Sequence, residues 1–355
     1  MIQQNSFSSL QRRLRVDQLH TLFPAIMAAS TVILILILFS GQPILTLRYF
    51  FTAPFSSPYA WGNLLAQTSL LLLTGIGTIS AFRCGSFNLG GEGQMYASSA
   101  AAIAVAIALE RSGVNGVVGI ITLLLTGTLC GALIAAISGY ARMRWGASEM
   151  ISSFLTGSAL FPIVDNLFRG PLLDPQSNLL QTVSIASKFQ LQELLSPSRL
   201  SFGAAIAFAV WLFSSIYYDH GKFGTRLRLS GENPEFALTE GLNVKKLRAQ
   251  GFILSGAFHG LAGALLLVGM FHSGIIGFSA GYGWNGIAVA LIAANRPKRL
   301  LPAALFISFI TSGSQQAAAL SSFRIDASLF LQGILFLLIT IQWRNARKNH
   351  EHHTL

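Results

Sequence analysis

Charge is scarce in this sequence. Charged residues make up 10% of its 355 positions and apolar residues 52%, against ~25% charged in a typical soluble domain. A surface so poor in charge does not stay dissolved as one or two soluble domains of this length. Cysteine is scarcer still. Cys84 and Cys130 are the two present, at or within apolar segments, which fits small core residues rather than a disulfide or a metal pair. No Gly-x4-Gly-Lys-Ser/Thr phosphate loop occurs, so the chain has no motif for binding and splitting ATP. No cluster has metal-ligand or nucleophile spacing either. The sequence therefore predicts no catalytic residue, no metal site and no cofactor of the chain's own. The net charge of +11 does not point to nucleic acid, because no basic face is interleaved with exposed aromatics.

What is present is a series of apolar runs, many near the ~20 residues that cross a bilayer as a helix. They lack period-2 alternation, and backbone groups in lipid must be satisfied within the element, so helices are the spans. The sequence predicts an all-α integral membrane protein of about ten transmembrane helices. The first, about Pro24–Ser40, follows Arg12, Arg13 and Arg15; no small-residue cleavage site comes after it, so it is read as uncleaved. A polar, aromatic stretch from Gln42 to Gly62 comes next. Further spans are predicted at about Asn63–Phe82, Gln94–Leu109, Val117–Tyr140, Glu149–Leu167, Ser201–Tyr217, Ala249–Phe271, Trp284–Ala294, Leu300–Ala319 and Ser328–Trp343. The organisation is an N-terminal segment over 1–21, a membrane domain over 22–343, and a tail over 344–355. Long polar inserts fall at 168–200 and 219–248.

Loop charge orients these spans. With the N-terminus in the cytoplasm, Arg83, Arg142 and Arg144, loop 219–248, Arg296 to Arg299 and the tail all fall inside. Arg48, Arg111, Arg169, Lys188, Arg199 and Arg324 are spread thinly over the other side. That asymmetry is the positive-inside pattern and predicts both termini in the cytoplasm.

Two Gly-rich breaks follow the second and seventh spans, at 83–94 and 273–285. On this topology they lie on opposite sides of the membrane. Interrupted segments in matching places of two halves are the sign of an inverted repeat, with solute handled near the breaks. Glu92 is an acid in an apolar neighbourhood, where charge is expensive and usually functional. Asn88 and Gln94 offer amides suited to a neutral polar ligand. Phe87, Tyr282 and Trp284 can stack on a flat ring, or belong to an interfacial aromatic belt. Glu149 opens the fifth span, where a helix N-terminus also favours an acid. Asp165 and Asp326 read as interfacial, and His259 as a packed interior residue. Scattered glycines such as Gly127, Gly131, Gly256 and Gly263 read as helix-packing residues.

Here the sequence resembles a known family. The run Leu71 to Arg83, continuing Gly85-Ser-Phe-Asn-Leu-Gly-Gly-Glu-Gly-Gln94, is similar to the hallmark of permeases of nucleoside-type ABC importers. These partner basic-membrane-protein-type binding lipoproteins, within the branched-chain amino acid and ribose permease superfamily. Ala147 to Ser152 resembles the family's Asn-Glu-Val-Ile-Ser. Gly221 to Arg228, then Gly231 to Pro234 and Ala237 to Gly241, resembles its main cytoplasmic loop. Gly281 to Leu291 resembles its Gly-Tyr-Gly-Phe-Asp-Gly-Ile-Ala-Val-Ala-Leu. Two departures touch pathway positions: Gly157 stands where the family has Asn, and Asn285 where it has Asp.

The resemblance implies a type II ABC importer-like permease in a bacterial inner membrane. It implies a separate ATPase subunit that uses the ATP, a second permease chain (homologous or identical), and an extracytoplasmic substrate-binding lipoprotein. Phe87, Asn88, Glu92, Gln94, Glu149, Tyr282, Trp284 and Asn285 then become the expected solute pathway. Within loop 219–248, a short helix over Glu235–Glu240 closed by Gly241 becomes the element that docks the ATPase, carried by Asn233, Pro234, Glu235, Ala237 and Gly241. Lys222, Arg226, Arg228 and Lys245 to Arg248 fit equally a solvated basic loop near anionic headgroups. The solute reads as a nucleoside, with riboflavin or a simple sugar as alternatives. An autonomous channel or secondary transporter, with Glu92 as its ion site, stays open as a second class.

Overall fold

The computed structural model describes Ile26 and residues 29–321. The segment 1–21, the start of the first span, the tenth span, the tail, Arg324 and Asp326 lie outside the described residues. Among those described, helices dominate. They are α1 (Ala29–Phe39), α2 (Pro43–Thr52), α3 (Pro58–Arg83), α4 (Gly91–Arg111), α5 (Gly116–Trp145), α6 (Glu149–Arg169), α7 (Phe202–His220), α8 (Lys222–Glu232), α9 (Pro234–Thr239), α10 (Val244–Leu266), α11 (Tyr282–Ile292) and α12 (Leu300–Leu320). A π-helical turn, Leu267–Phe271, extends α10.

The eight predicted spans from the second to the ninth each coincide with a helix. Five helical segments are long and apolar enough to cross a membrane by length and composition: Pro58–Arg83, Gly116–Trp145, Glu149–Arg169, Phe202–His220 and Val244–Phe271. Helices α1 and α11 are shorter and apolar. Three local differences stand out. The stretch after Gln42 forms α2, started by Pro43 at a position where its missing N–H costs nothing. Loop 219–248 holds a second helix, α8, besides the expected short one. The seventh span starts at Val244 rather than Ala249, because Asn243 caps it by accepting from the Lys246 N–H at 3.0 Å.

Side-chain caps set several other starts. Ser57 accepts from Ala60 N (3.2 Å) to open α3, Asn115 from Val117 N (2.9 Å) to open α5, and Ser201 from Gly203 N (3.2 Å) to open α7. Helix α5 ends on Gly146 in the left-handed conformation (φ 68°), which glycine adopts without a Cβ penalty.

Helix α3 is central, with 89% of its most apolar window buried, whereas α5 and α6 bury 22% of theirs and turn apolar faces outward. Outward Val117, Ile121, Leu125, Leu129 and Leu133 of α5 suit lipid as solvent. The inner face of α5 is small instead. It meets α10 so closely that a Cβ on Gly260 would strike the Gly127 carbonyl, and one on Gly256 the Gly131 carbonyl. Small residues let backbones approach in this way, which is how helices associate in membranes.

The insert 168–200 folds back over the second break. Thr182 N donates to Gly274 O (2.9 Å), Ile185 N to His272 O (2.8 Å) and Leu191 N to Val268 O (2.8 Å). The Arg199 guanidinium lies 4.2 Å from the Phe271 ring centroid.

The close α5–α10 contact generates a prediction. Gly260→Ala should lower the thermal unfolding temperature of the detergent-purified protein, an overpacking cost of about 1–3 kcal/mol. Gly139→Ala should change little, since a Cβ there meets its nearest atoms at an ordinary 3.7 Å. Equal unfolding temperatures for the two variants would contradict the contact.

Candidate functional site

The two breaks were expected on opposite sides of the membrane. The structure brings the helices they lead into end to end. Break one leaves α3 at Arg83 and opens α4 at Gly91, with Glu92 in the first turn. Break two opens α11 behind Gly281 (φ 77°). The first amides of a helix have no partner within it, and inside a membrane protein water is not at hand to supply one. Glu92 meets that need. One carboxylate oxygen accepts from Gly281 N at 2.9 Å and the other from Gly283 N at 2.6 Å. The Ser279 hydroxyl and the Trp284 amide also hydrogen-bond to the carboxyl group. Glu92 is 4% exposed, and an anion at a helix N-terminus is favoured by the helix dipole. Gly283 has to be glycine here, because a Cβ would collide with the Glu92 backbone.

A second tie lies one turn along α4. Tyr96 donates its hydroxyl to Asp165 of α6 at 2.7 Å, and the same oxygen accepts from Gly277 N at 3.2 Å. Asp165, read from sequence as interfacial, is therefore the partner of a tyrosine on a neighbouring helix. Sequence reading passed over Tyr96. Its signal is the i, i+4 spacing from Glu92, which places both on one face of α4.

Asn88 and Gln94 do not stand open to a ligand. Asn88 Nδ2 donates to Gln94 Oε1 (2.8 Å) and to Ser255 Oγ (3.0 Å). Gln94 Nε2 and Gly90 N both donate to Asn88 Oδ1, at 3.2 and 3.0 Å. Both side chains are 1% exposed. These amides hold break one in shape and fasten it to α10. Leu89 N donates to Ser153 Oγ of α6 (3.1 Å), and His259 Nδ1 contacts Ser255 O at 2.8 Å, an interior position as expected. Ser153 and Ser255 were not singled out from sequence, since isolated serines carry no pattern.

The aromatics divide. Phe87 packs on Phe82 at 4.8 Å between centroids. Tyr282 packs among the apolar side chains of both core clusters. Trp284 lies 6.2 Å from Phe154 of α6, and Phe154 is substantially exposed, so this pair presents ring surface beside the joined breaks. Asn285 is buried with a side-chain oxygen that has no hydrogen-bond partner among the described residues. A polar atom left like that is unusual in a packed interior. Glu149, also buried, forms an ion pair with Arg142 and lines a cavity with Ser86 of break one.

The expected docking residues gather as the sequence grouped them. Asn233 accepts from Phe236 N (3.0 Å) to cap α9, Pro234 occupies its first turn, and Gly241 (φ 73°) follows it. Ala237 is buried, while Glu235 is exposed beside Phe236 and Leu238, which are 46% and 61% exposed. Near this end, Arg83 pairs with Asp219 at 2.8 Å, and Arg228, Arg296, Lys298 and Arg299 share with them a cavity of about 710 Å³.

Comparison with known proteins adds the family. A family model described as branched-chain amino acid transport system / permease component matches residues 61–340. The chain is 33% identical over 313 residues to a probable riboflavin import permease protein of Treponema pallidum, covering 87% of this chain and 81% of that one. It is 28% identical over 264 residues to a guanosine ABC transporter permease protein of Bacillus subtilis, covering 73% and 75%. It is 25% identical over 290 residues to a nucleoside ABC transporter permease protein of Lactococcus lactis, covering 79% of each.

The Glu92 geometry has a testable consequence. Glu92→Ala should lower thermal stability by an amount on the order of 3 kcal/mol, because buried amides lose a charged acceptor, and should abolish uptake with it. Glu92→Asp, one methylene shorter, should fall between. An alanine variant that unfolds at the wild-type temperature yet transports nothing would move the carboxylate from a capping role to the solute.

Proposed function

This chain belongs to the family of permease components of branched-chain amino acid transport systems, and from that premise we propose that it carries a flat-ring solute inward by alternating access, driven by a separate ATPase. The family is one of transport permeases and not of ATPases, so the energy comes from another subunit.

The observation that carries the coupling reading is α9. A six-residue helix at a polar turn, capped at both ends, leaves Phe236 and Leu238 exposed. Exposed large apolar side chains on an otherwise polar loop suit a protein partner. Glu235 and Glu240 flank them. The partner that fits is the ATPase, with α9 seated in a cleft on it.

The solute class rests on the Trp284–Phe154 pair and on the unpartnered oxygen of Asn285, the next residue along α11. An exposed aromatic face binds flat rings, and an orphaned amide oxygen accepts from ring N–H or hydroxyl groups. Nucleosides and riboflavin share those features: a flat nitrogen heterocycle bearing a hydroxylated five-carbon unit. Those are the solutes that the three relatives are named for. In this reading Trp284 and Asn285 are pathway residues, with Phe87 and Tyr282 supporting the wall. Glu92, Asn88, Gln94 and Glu149 position the breaks and do not touch solute. The engagement of Glu92 by α11 also weighs against an autonomous transporter that uses it as an ion site.

The crowding of Arg83, Arg228, Arg296, Lys298 and Arg299 at the α9 end supports placing that end in the cytoplasm, with both termini inside and the protein in a bacterial inner membrane. A second permease chain, the same or related, and an extracytoplasmic binding lipoprotein complete the assembly.

Proteoliposomes holding the whole transporter test this with labelled guanosine, riboflavin and glucose. ATP-dependent uptake of guanosine or riboflavin is expected, with Trp284→Ala slowing it about tenfold, the scale of a lost ring stack. Joint Phe236→Asp and Leu238→Asp should abolish ATP-driven uptake while leaving the permease folded. Uptake of glucose alone overturns the flat-ring assignment, and uptake without ATP overturns the coupling.

A further inference from the structure

Break one, the α5–α6 turn and the start of α10 enclose a cavity of about 240 Å³ that the reading above does not use. Its polar lining is Ser86, Arg142, Glu149, Lys245 and Arg248. Three cations face one carboxylate, and that carboxylate is already engaged: Glu149 is buried in its ion pair with Arg142. Neither Lys245 nor Arg248 has an acidic partner among the described ion pairs. Arg248 Nε is buried with no hydrogen-bond partner, and its Nη2 reaches Ser230 O only at 3.5 Å. The Arg142 and Arg248 charges repel one another across the site. A half-buried guanidinium with a buried, unused Nε donor, facing a second guanidinium, is an unfavourable arrangement until an anion enters.

We propose that this cavity binds a phosphate group. Two guanidinium forks, one ammonium and one hydroxyl converge from different elements. A tetrahedral oxyanion offers several oxygens in different directions to meet such donors, where a planar carboxylate offers two. The group can come from an anionic lipid headgroup or from free phosphate. The lipid source has support nearby: Tyr140 and Trp145, 5.8 Å apart edge to face at the end of α5, are 52% and 71% exposed. Amphipathic rings in such a place sit at headgroup level. A bound phosphate would tie break one and α10 to the α5–α6 turn.

The full chain in dodecyl maltoside, a detergent without phosphate, is titrated with inorganic phosphate or with phosphatidylglycerol, following the unfolding temperature and, by native mass spectrometry, the retained lipid. A rise with inorganic phosphate identifies the free ion as a source, and a rise with phosphatidylglycerol alone identifies the headgroup. Either supports the site if Arg248→Gln weakens the response about tenfold, the scale of one lost charge-assisted hydrogen bond, while Arg144→Gln, outside the cavity, leaves it unchanged. Should Arg248→Gln fail to fold, Lys245→Gln, an exposed position, must show the same weakening. No response to either probe, or equal responses in wild type and the cavity variant, overturns the proposal.

Discussion

The architecture turns on one carboxylate. Glu92 holds the Gly281 and Gly283 amides at 2.9 and 2.6 Å, and it does so from the first turn of α4. Two helix N-termini therefore converge on a single carboxyl group. Each would otherwise present unpaired amides where water cannot reach them, a cost of several kcal/mol per group in an apolar medium. A buried carboxyl group without those amides would be left unpaired as well. Neither half of the arrangement is stable alone, so the sequences around 92 and 281, 189 positions apart, depend on one another.

The surroundings are arranged to let that contact form. Gly283 and Gly91 remove side chains where the Glu92 backbone and His259 approach. Tyr96 repeats the contact one turn higher by holding Gly277. On the other side, the Asn88–Gln94–Ser255 amide and hydroxyl network spends its donors internally. A buried polar network is stabilising only when nearly every member is paired, and this one closes on itself. The insert 168–200 then covers break two through main-chain hydrogen bonds, which protect a non-helical stretch that lipid could not tolerate.

The membrane helices were legible in the sequence because a hydrophobic span is set by length and composition, both local. The breaks were legible because glycine clusters interrupt such runs. Partners were not. Asn88 and Gln94 were read as free to meet a ligand, since their amides reveal capacity but not who uses it; here each uses the other. Glu92 was picked out as an acid in an apolar neighbourhood and expected in the solute pathway, yet its contact is with backbone N–H groups, which leave no mark in a side-chain sequence. Phe154 was missed because an aromatic within an apolar span looks like any lipid-facing residue until Trp284 is placed beside it. Helix α8 was missed because its charges resemble a loop, although Leu227 and Ser230 face inward.

Helix α10 connects these features. It begins after the four residues that follow α9, carries Lys245 and Arg248 into the cationic cavity, gives Ser255 to Asn88, and packs His259 against Gly91 next to Glu92. A helix of this length transmits displacement along its axis with little compression, because its hydrogen bonds run parallel to that axis. Its close approach to α5 sets Gly256 and Gly260 against Gly131 and Gly127 with no space for a side chain between them. Helix α10 thus starts just after α9 and touches, through His259, the turn of α4 that carries Glu92. On the coupling reading proposed above, a displacement at α9 reaches break one through α10, and the Glu92 contact with Gly281 and Gly283 passes it to α11.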